Sequence, residues 1–390
     1  MQRTLTALEL ERDLAIRDLT DPAAGPHGLQ LLVDRLAAAL AGTWGSSILV
    51  CRGDREVTVK ANYDELGFSG DVVTRDARYT RYVTPATMLR SHTTAIVPGA
   101  LRRLADLGDG APLDVLLICP GICYRRDAIG RWHTGTPHQL DVWRLVRRPG
   151  GPAMQATDLT ELVGALCRVL VPGQPWRLEP RVHPYTEQGQ QVDVEWDGAW
   201  IEVAECGLAR PAVLRRAGLA AGWSGLALGM GLDRLYMLTK GIPDIRLLRS
   251  NDPRVARQMA DLAPYRSISA MPAISRDLSV AVDESDLTED LGDRVRDALG
   301  LDADYVEEVS IMSSTQYDDL PPAARERLGI GSGQVNVLVR VVLRALDRTL
   351  DDAEANELRD RIYAAVHQGS VHTWAGTGDV GSTGATDGVG

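Results

Sequence analysis

Four short stretches of this chain carry residue types that could do chemistry together. The first, Gly225-Leu-Ala-Leu-Gly-Met-Gly-Leu-Asp-Arg234, sets alternating glycines ahead of a helix-like Leu-Asp-Arg-Leu-Tyr-Met-Leu run. Glycines at 225, 229 and 231 let a backbone approach a flat ligand, and an arginine in the next helical turn can meet a polyphosphate. A bulged strand packed under a helix explains the same run. The second pairs Cys123-Tyr-Arg-Arg-Asp127 with His133-Thr-Gly-Thr-Pro-His-Gln-Leu-Asp141. Arginine, carboxylate and a polar cluster suit a site that binds phosphate and ammonium together; a charged strand edge is the plainer alternative. The third and fourth, Leu89-Arg-Ser-His-Thr-Thr94 and Trp200-Ile-Glu-Val-Ala-Glu-Cys-Gly207, say little when read singly.

These stretches need a frame. Gly28 to Ala41 has apolar residues at helical spacing after Pro26, and Ser47 to Cys51 reads as an extended run behind it. Val115 to Ile118 reads as a buried strand, and Val192 to Glu195 with Trp200 to Val203 as a hairpin around Asp197-Gly198. No regular βαβ cadence runs through the first 260 or so residues, so an antiparallel sheet with flanking helices is expected. Beyond Asp252 the order changes. A strand pattern over Ser267 to Val282, broken by Pro272, precedes a helix pattern over Leu287 to Leu299, a strand over Val335 to Leu343 and a helix pattern over Asp352 to His367. That order suggests a small ferredoxin-like α+β domain. Residues 376–390, nearly all Gly, Thr, Ser, Ala and Asp, are expected to be disordered.

Composition sets the outer limits. A chain of 390 residues, 44% hydrophobic and 24% charged, suits two or three domains and a core that needs no staples. Its five cysteines form neither an even framework nor CxxC knuckles, which fits a reducing cytoplasm. No run approaches the ~18 apolar residues of a membrane span, and Met1 to Arg12 lacks the apolar stretch of a signal peptide, so a soluble, cytoplasmic protein without a membrane partner is expected. Of 42 basic residues 40 are arginine, Phe68 is the only phenylalanine, and the net charge is −11. Residues 264–375 hold 21 Asp plus Glu against 11 Arg, which leaves the first 263 residues near neutrality.

Taken together and in this chain order, the four stretches resemble the catalytic core of class II aminoacyl-tRNA synthetases of the phenylalanyl type. Arg-Ser-His-Thr-Thr is similar to that family's Arg-x-His-Thr-Ser, Tyr-Arg-Arg-Asp with His-Gln-Leu-Asp to its motif two, and Gly-Met-Gly-Leu-Asp-Arg to its motif three. The region after Tyr265 resembles the ferredoxin-fold anticodon-binding domain of single-chain phenylalanyl enzymes. The resemblance divides the chain into an extension at 1–25, a catalytic domain at 26–255, an anticodon-binding-like domain at 264–375 and the tail. It implies that ATP and Mg²⁺ are used, with Arg125 on the α-phosphate, Arg234 on the γ-phosphate and Glu202 near the metal. Asp127, His133, Pro137, Gly229 and Gly231 would complete the nucleotide site. His92, Thr94, Gln139, Asp141, His183, Tyr185, Glu205 and Ala227 would surround the amino acid. Catalysis of this kind is positioning and electrostatics and needs no side-chain nucleophile.

The departures carry as much information as the matches. Where the family sets Phe-Pro-Phe against the substrate ring, this chain has His183-Pro184-Tyr185, and Glu205 replaces a residue that is commonly small. A benzyl group would leave such polar atoms unpaired at a cost of about 1–3 kcal/mol each. Both rings could still send their polar atoms outward, and Glu205 could be held by an arginine such as Arg210. Pro137 stands where an aromatic ring usually stacks on adenine, Val97 replaces a glutamine, and Asp127 and Asp233 stand in for glutamates. The coiled-coil arm of bacterial α subunits has no counterpart before residue 26, and an anticodon domain with net charge −10 argues against tRNA as a partner.

The expected function is therefore an ATP-dependent ligase that forms an aminoacyl adenylate from an amino acid more polar than phenylalanine and passes the acyl group to an acceptor that need not be tRNA. A genuine single-chain phenylalanine-tRNA ligase and a non-catalytic amino-acid or nucleotide sensor are the alternatives. Helix Gly28 to Ala41 falls where the family's motif one builds a dimer, but the customary proline after it is missing, so homodimer and monomer both stay open.

Overall fold

The computed structural model describes residues 3–70, 73–77, 79–267 and 271–372. The chain divides into two compact units, Met1–Ala270 and Met271–Gly390. The tail over 376–390 lies outside the described residues.

The first unit holds β1 (Ser47–Val50), β2 (Glu56–Thr58), β3 (Thr87–Leu89), β4 (Asp114–Ile122), β5 (His138–Arg147), β6 (Trp176–Pro180), β7 (Thr186–Trp196), β8 (Ala199–Ala209) and β9 (Trp223–Gly231). Seven of them form one sheet in the order β1-β4-β5-β9-β8-β7-β6, and β2 pairs with β3. Every neighbouring pair in the large sheet is antiparallel except β1 with β4. This is the expected α+β arrangement, with the addition of one parallel edge.

Local chemistry accounts for the boundaries. The first core helix spans Gly28–Trp44, three residues longer than the apolar spacing indicated, and stops where Gly45 takes a φ of 69°. Its N-cap is His27, whose Nδ1 accepts the Leu29 N–H at 3.1 Å while Nε2 sits 3.2 Å from the Leu248 carbonyl. Burial drives the His27 pKa down to about 4, which keeps the ring neutral and able to cap. In the expected hairpin, Asp197 and Gly198 both have positive φ, 50° and 78°, as a two-residue turn between twisted strands requires.

Because side chains alternate along a strand, each face of the sheet gathers its own core. Leu116, Ile118, Val142, Leu226 and Leu228 are buried on the side where helices Gly28–Trp44, Ala156–Leu170 and Leu232–Lys240 pack. On the opposite face Val115, Leu117, Trp143, Leu145 and Ala227 pack with Val97, Leu101 and Leu104 of helix Val97–Asp106. That helix covers one end of its face only. The other end, toward Gln139, Gly231 and Glu202, is where the candidate site lies.

Residues ahead of the first core helix are stitched beneath the sheet. Asp18 accepts the Ile122 N–H at 3.0 Å, the Leu19 N–H meets His138 Nε2 at 3.0 Å, and Arg52 reaches the Thr20 carbonyl at 2.6 Å. Arg90, although part of a motif stretch, is structural. It is only 2% exposed and donates to the carbonyls of Ile122 and Gly53 at 2.7 and 2.9 Å. Gly121 makes room for it, since a Cβ there would collide with the guanidinium.

In the second unit β10 (Ile274–Asp283), β11 (Val306–Gln316) and β12 (Gln334–Leu343) form an antiparallel sheet in the order β10-β12-β11. Helices Thr288–Leu299 and Asp352–Val366 pack together and on β11 and β10 respectively. Val335, Val337, Val339, Val341 and Leu343 are buried in strict alternation along β12, and this is why that strand was legible in the sequence. The described order is β-α-β-β-α, with a short helix, Pro322–Leu328, before β12. Arg276, Arg294, Arg296, Arg340, Arg344, Arg348, Arg359 and Arg361 each form an ion pair with a carboxylate of the same unit.

Candidate active site

The sheet brings motif residues from distant parts of the chain into one row. Asp141 on β5 is opposite Gly229 on β9, Gly229 is opposite Glu205 on β8, and Glu205 is opposite Gln191 on β7. Two residues along, Gln139 is opposite Gly231, and in the other direction Trp143 is opposite Ala227. The glycines differ in what they do. A side chain on Gly225 would strike Leu145 and the Arg144 carbonyl, so that glycine serves packing. A Cβ on Gly229 would meet only the Asp141 carboxylate, at 3.8 Å, and one on Gly231 nothing at all, so these two leave an open floor.

At one side of the floor Asp141 is held firmly. Its Oδ2 accepts the hydroxyls of Thr93 at 2.7 Å and Thr94 at 3.2 Å, and its Oδ1 the indole N–H of Trp143 at 3.3 Å. Burial pushes the Asp141 pKa up to about 6 against the pull of these donors. Gln139 accepts the Thr93 N–H at 3.3 Å. His92 is fixed by Asn62 at 3.4 Å and stacks on Phe68, the ring centroids 5.8 Å apart. Burial and the charge of Arg125 lower its pKa to about 3, so the ring is neutral throughout the ordinary pH range. Arg125 is half-buried beside it, pinned along one edge by Nε donating to the Ser91 carbonyl at 2.7 Å.

At the other side stand His183, Tyr185, Glu205 and Glu202. His183 is 7% exposed, and its Nε2 lies 3.1 Å from Glu205 Oε2. Arg181 Nε donates to Glu205 Oε1 at 3.3 Å. Burial alone would raise the Glu205 carboxyl, but the His183 and Arg181 contacts prevail and hold it below its ordinary value. Tyr185 stacks against Trp143 and His183 at 6.1 and 5.7 Å and lies 6.3 Å from the Phe68 ring. Its phenol faces Thr94, and burial with the charges of Asp141 and Glu205 pushes its pKa up. The polar atoms of both rings therefore point into the structure, and Glu205 is held by Arg181 and His183. Arg210 instead binds the Thr186 carbonyl at 3.1 Å.

Register also places Glu202. An irregularity in the β7–β8 pairing between Val192 and Asp193 turns Glu202 to face Asp193, on the same side as Glu205. Glu202 is exposed, and burial together with Glu205 raises its pKa while Arg181 and Arg234 oppose the shift. Arg234 projects from the first turn of helix Leu232–Lys240 and reaches the Glu202 carbonyl at 3.3 Å. Asp127, His133 and Pro137 stay in the loop between β4 and β5. Asp127 Oδ1 accepts the Ala128 N–H at 2.8 Å, exposed His133 closes a turn onto the Gly130 carbonyl at 3.0 Å, and the Pro137 carbonyl accepts the Cys123 N–H at 2.7 Å. No three His, Cys, Asp or Glu among the described residues form a ready metal cluster. Glu202, a single exposed carboxylate beside two arginines, fits instead a Mg²⁺ ion that is held largely by phosphates and water.

Phe68, Trp143, Thr93, Arg181 and Asn62 complete this site and were not singled out from the sequence as members of it. Thr93 and Trp143 sit within or next to the motif stretches, and their spacing could have revealed them. Phe68, Asn62 and Arg181 come from elsewhere in the chain and are brought in by the fold alone.

Several known proteins are similar to this chain. A family model described as "tRNA synthetases class II core domain (F)" matches residues 27–259. The chain is 29% identical over 364 residues to a probable mitochondrial phenylalanine-tRNA ligase of Drosophila melanogaster, covering 79% of this chain and 75% of that one. It is 32% identical over 247 residues to the phenylalanine-tRNA ligase alpha subunit of Prochlorococcus marinus, covering 62% of this chain and 69% of the subunit. Among solved structures, a pyrrolysyl-tRNA synthetase of Desulfitobacterium hafniense superposes with a TM-score of 0.43 at 18% identity, over 66% of this chain and 78% of that one.

Proposed function

Because this chain belongs to the class II tRNA synthetase core family, a family of ATP-dependent ligases, and is related to phenylalanine-tRNA ligase alpha subunits, we propose that it activates an amino acid more polar than phenylalanine as an aminoacyl adenylate and hands it to an acceptor other than tRNA. The observation that carries the amino-acid half is the His183 to Glu205 contact of 3.1 Å inside the candidate side-chain pocket. A hydrocarbon ring placed against it would bury polar groups with nothing to bind.

The chemistry follows from placement. A carboxylate oxygen of the amino acid attacks the α-phosphorus of ATP, the bond to the bridging oxygen breaks, and pyrophosphate leaves. Arg125 stands where charge gathers on the α-phosphate, and Arg234, at the helix start, takes the terminal phosphate. Asp141, Gln139, Thr94 and His92 orient the amino acid, while Gly229 and Gly231 leave a floor for the reacting groups. Mg²⁺ held near Glu202 would supply charge neutralisation along the phosphates.

The acceptor half rests on the second unit. Eight of its ten arginines form ion pairs within the unit, and its surplus carboxylates repel a phosphate backbone. The relatives favour a second reading, that of a single-chain phenylalanine-tRNA ligase. A sensor has no use for arginines at both ends of a triphosphate. All five cysteines are buried and unpaired, which suits a reducing compartment. No helix among the described residues is long and apolar enough to cross a membrane.

Amino-acid-dependent ATP–pyrophosphate exchange over a broad panel tests this reading. Exchange with an amino acid other than phenylalanine, and no charging of total tRNA, is the expected result. Exchange with phenylalanine alone, together with tRNA charging, would establish the second reading. The double variant His183→Phe with Tyr185→Phe is expected to raise kcat/KM for phenylalanine by about tenfold relative to the parent, as two polar rings of the pocket are replaced by apolar ones. An unaltered substrate profile would count against the pocket assignment.

A further inference from the structure

We infer that the pocket selects a side chain bearing a hydrogen-bond donor, an N–H or O–H, at its far end, and that the Glu205 carboxylate takes that donor. The inference rests on the adenylating reading above and names the substrate class that reading leaves open. The acceptor capacity left on a firmly positioned Glu205 carries it.

The hydroxyl protons of Thr93 and Thr94 and the indole proton of Trp143 are all committed to Asp141. Arg181 Nε is committed to Glu205, and His183 Nε2 lies against the same carboxylate. The two threonine hydroxyls, the indole N–H and Arg181 Nε are thus spent on two carboxylates. Glu205 has acceptor capacity to spare, since a carboxylate offers about four lone-pair positions and at most two are engaged. It also keeps its charge, because His183 and Arg181 hold its pKa down. A ligand ending in a carboxylate, nitro or ether oxygen would set an acceptor against the charged Glu205 oxygens. An N–H or O–H would find an acceptor already fixed from two sides.

The surrounding walls suit the same class. Tyr185 stacks on Trp143 and on His183, and Phe68 lies beside Tyr185 and stacks on His92. Rings of this kind pack well against an aromatic body or a cationic group. Phenols, arylamines and alkylammonium groups thus share the required chemistry, and the test separates them.

The full-length chain would be assayed for pyrophosphate exchange with L-phenylalanine, L-tyrosine, p-amino-L-phenylalanine, L-lysine, p-nitro-L-phenylalanine and L-glutamate. A donor-bearing member should give a kcat/KM about tenfold or more above those of phenylalanine and the nitro compound. Glu205→Gln should remove that advantage about tenfold while the KM for ATP stays within about twofold, and Glu205→Asp, which keeps the charge but withdraws it by a methylene, should lose less. A preference for phenylalanine or for an acceptor-bearing side chain, or an unchanged ranking in both variants, would overturn the inference. Thermal stabilisation by the same six amino acids keeps the two readings apart. If exchange is silent throughout, adenylation falls. Stabilisation by donor-bearing amino acids that is weakened in the Glu205 variants would then still support the pocket inference, and stabilisation by none would sink it.

Discussion

Arg234→Ala is expected to lower amino-acid-dependent pyrophosphate exchange by at least about three orders of magnitude, because an electrostatic clamp on a transferring phosphate is among the largest single terms in such chemistry. Its folding cost should be small. Arg234 lies in the first turn of its helix and donates to one carbonyl, that of Glu202, at 3.3 Å near the surface. Substitutions at such positions stay within about 0.5 kcal/mol, so the melting temperature should move by no more than about 2 °C. Calorimetry and exchange kinetics on the same preparation read both quantities. Parent-level exchange in this variant would remove Arg234 from the phosphate site.

The neighbouring residue should behave in the opposite way. Asp233 is 4% exposed, and it accepts the His138 N–H at 2.6 Å with one oxygen and the His138 Nδ1 hydrogen at 2.8 Å with the other. The Leu19 N–H donates to His138 Nε2, which makes that nitrogen the acceptor and Nδ1 the donor. Asp233→Ala therefore strands two buried donors, and unfolding in urea should show a loss of about 3–5 kcal/mol.

Acid should reveal the same contact. Burial would raise the Asp233 pKa, yet the hydrogen bonds from His138 and the charge of Arg249 bring it below the ordinary carboxylate value, and hydrogen bonds from Thr20 and Ile122 do likewise for Asp18. A carboxyl depressed in the folded state stabilises fully above its unfolded pKa of about 4 and loses that contribution as pH falls through the folded value. Stability of the parent should thus decline below about pH 4, and Asp233→Asn should flatten that decline. A parallel acid limb in the variant would show that Asp233 contributes no linkage.

What the sequence made legible were the features with local causes. The Asp197-Gly198 turn, the apolar period of the first core helix and the alternation of β12 each follow from a few adjacent residues. The floor was also legible, because the glycines and carboxylates fall within four contiguous stretches whose order could be recognised. Two things were not. Polar β11, with its irregular pairing to β12, offers no clean alternation to read. Phe68 and Arg181 enter the site from loops whose course is set by tertiary packing, so no period or spacing announces them. The partner of Glu205 illustrates the limit. Arg210, close in sequence, was the nearer guess, yet strand pairing turns it toward a carbonyl and brings Arg181 of the β6–β7 connection to the carboxylate.

The stitching beneath the sheet has a practical bearing on any shortened form of this protein. Family similarity begins at residue 27, and a recombinant fragment cut there would look complete by that criterion. It would lack Asp18 and Leu19, which meet Ile122 and His138 on the strands that flank the catalytic floor, and Asp13, which pairs at 2.6 Å with buried Arg81. His138 would lose one of the groups that fix its hydrogen, and Asp233 would then lean on a ring free to turn. A fragment intended for crystallography should therefore start well before Asp13.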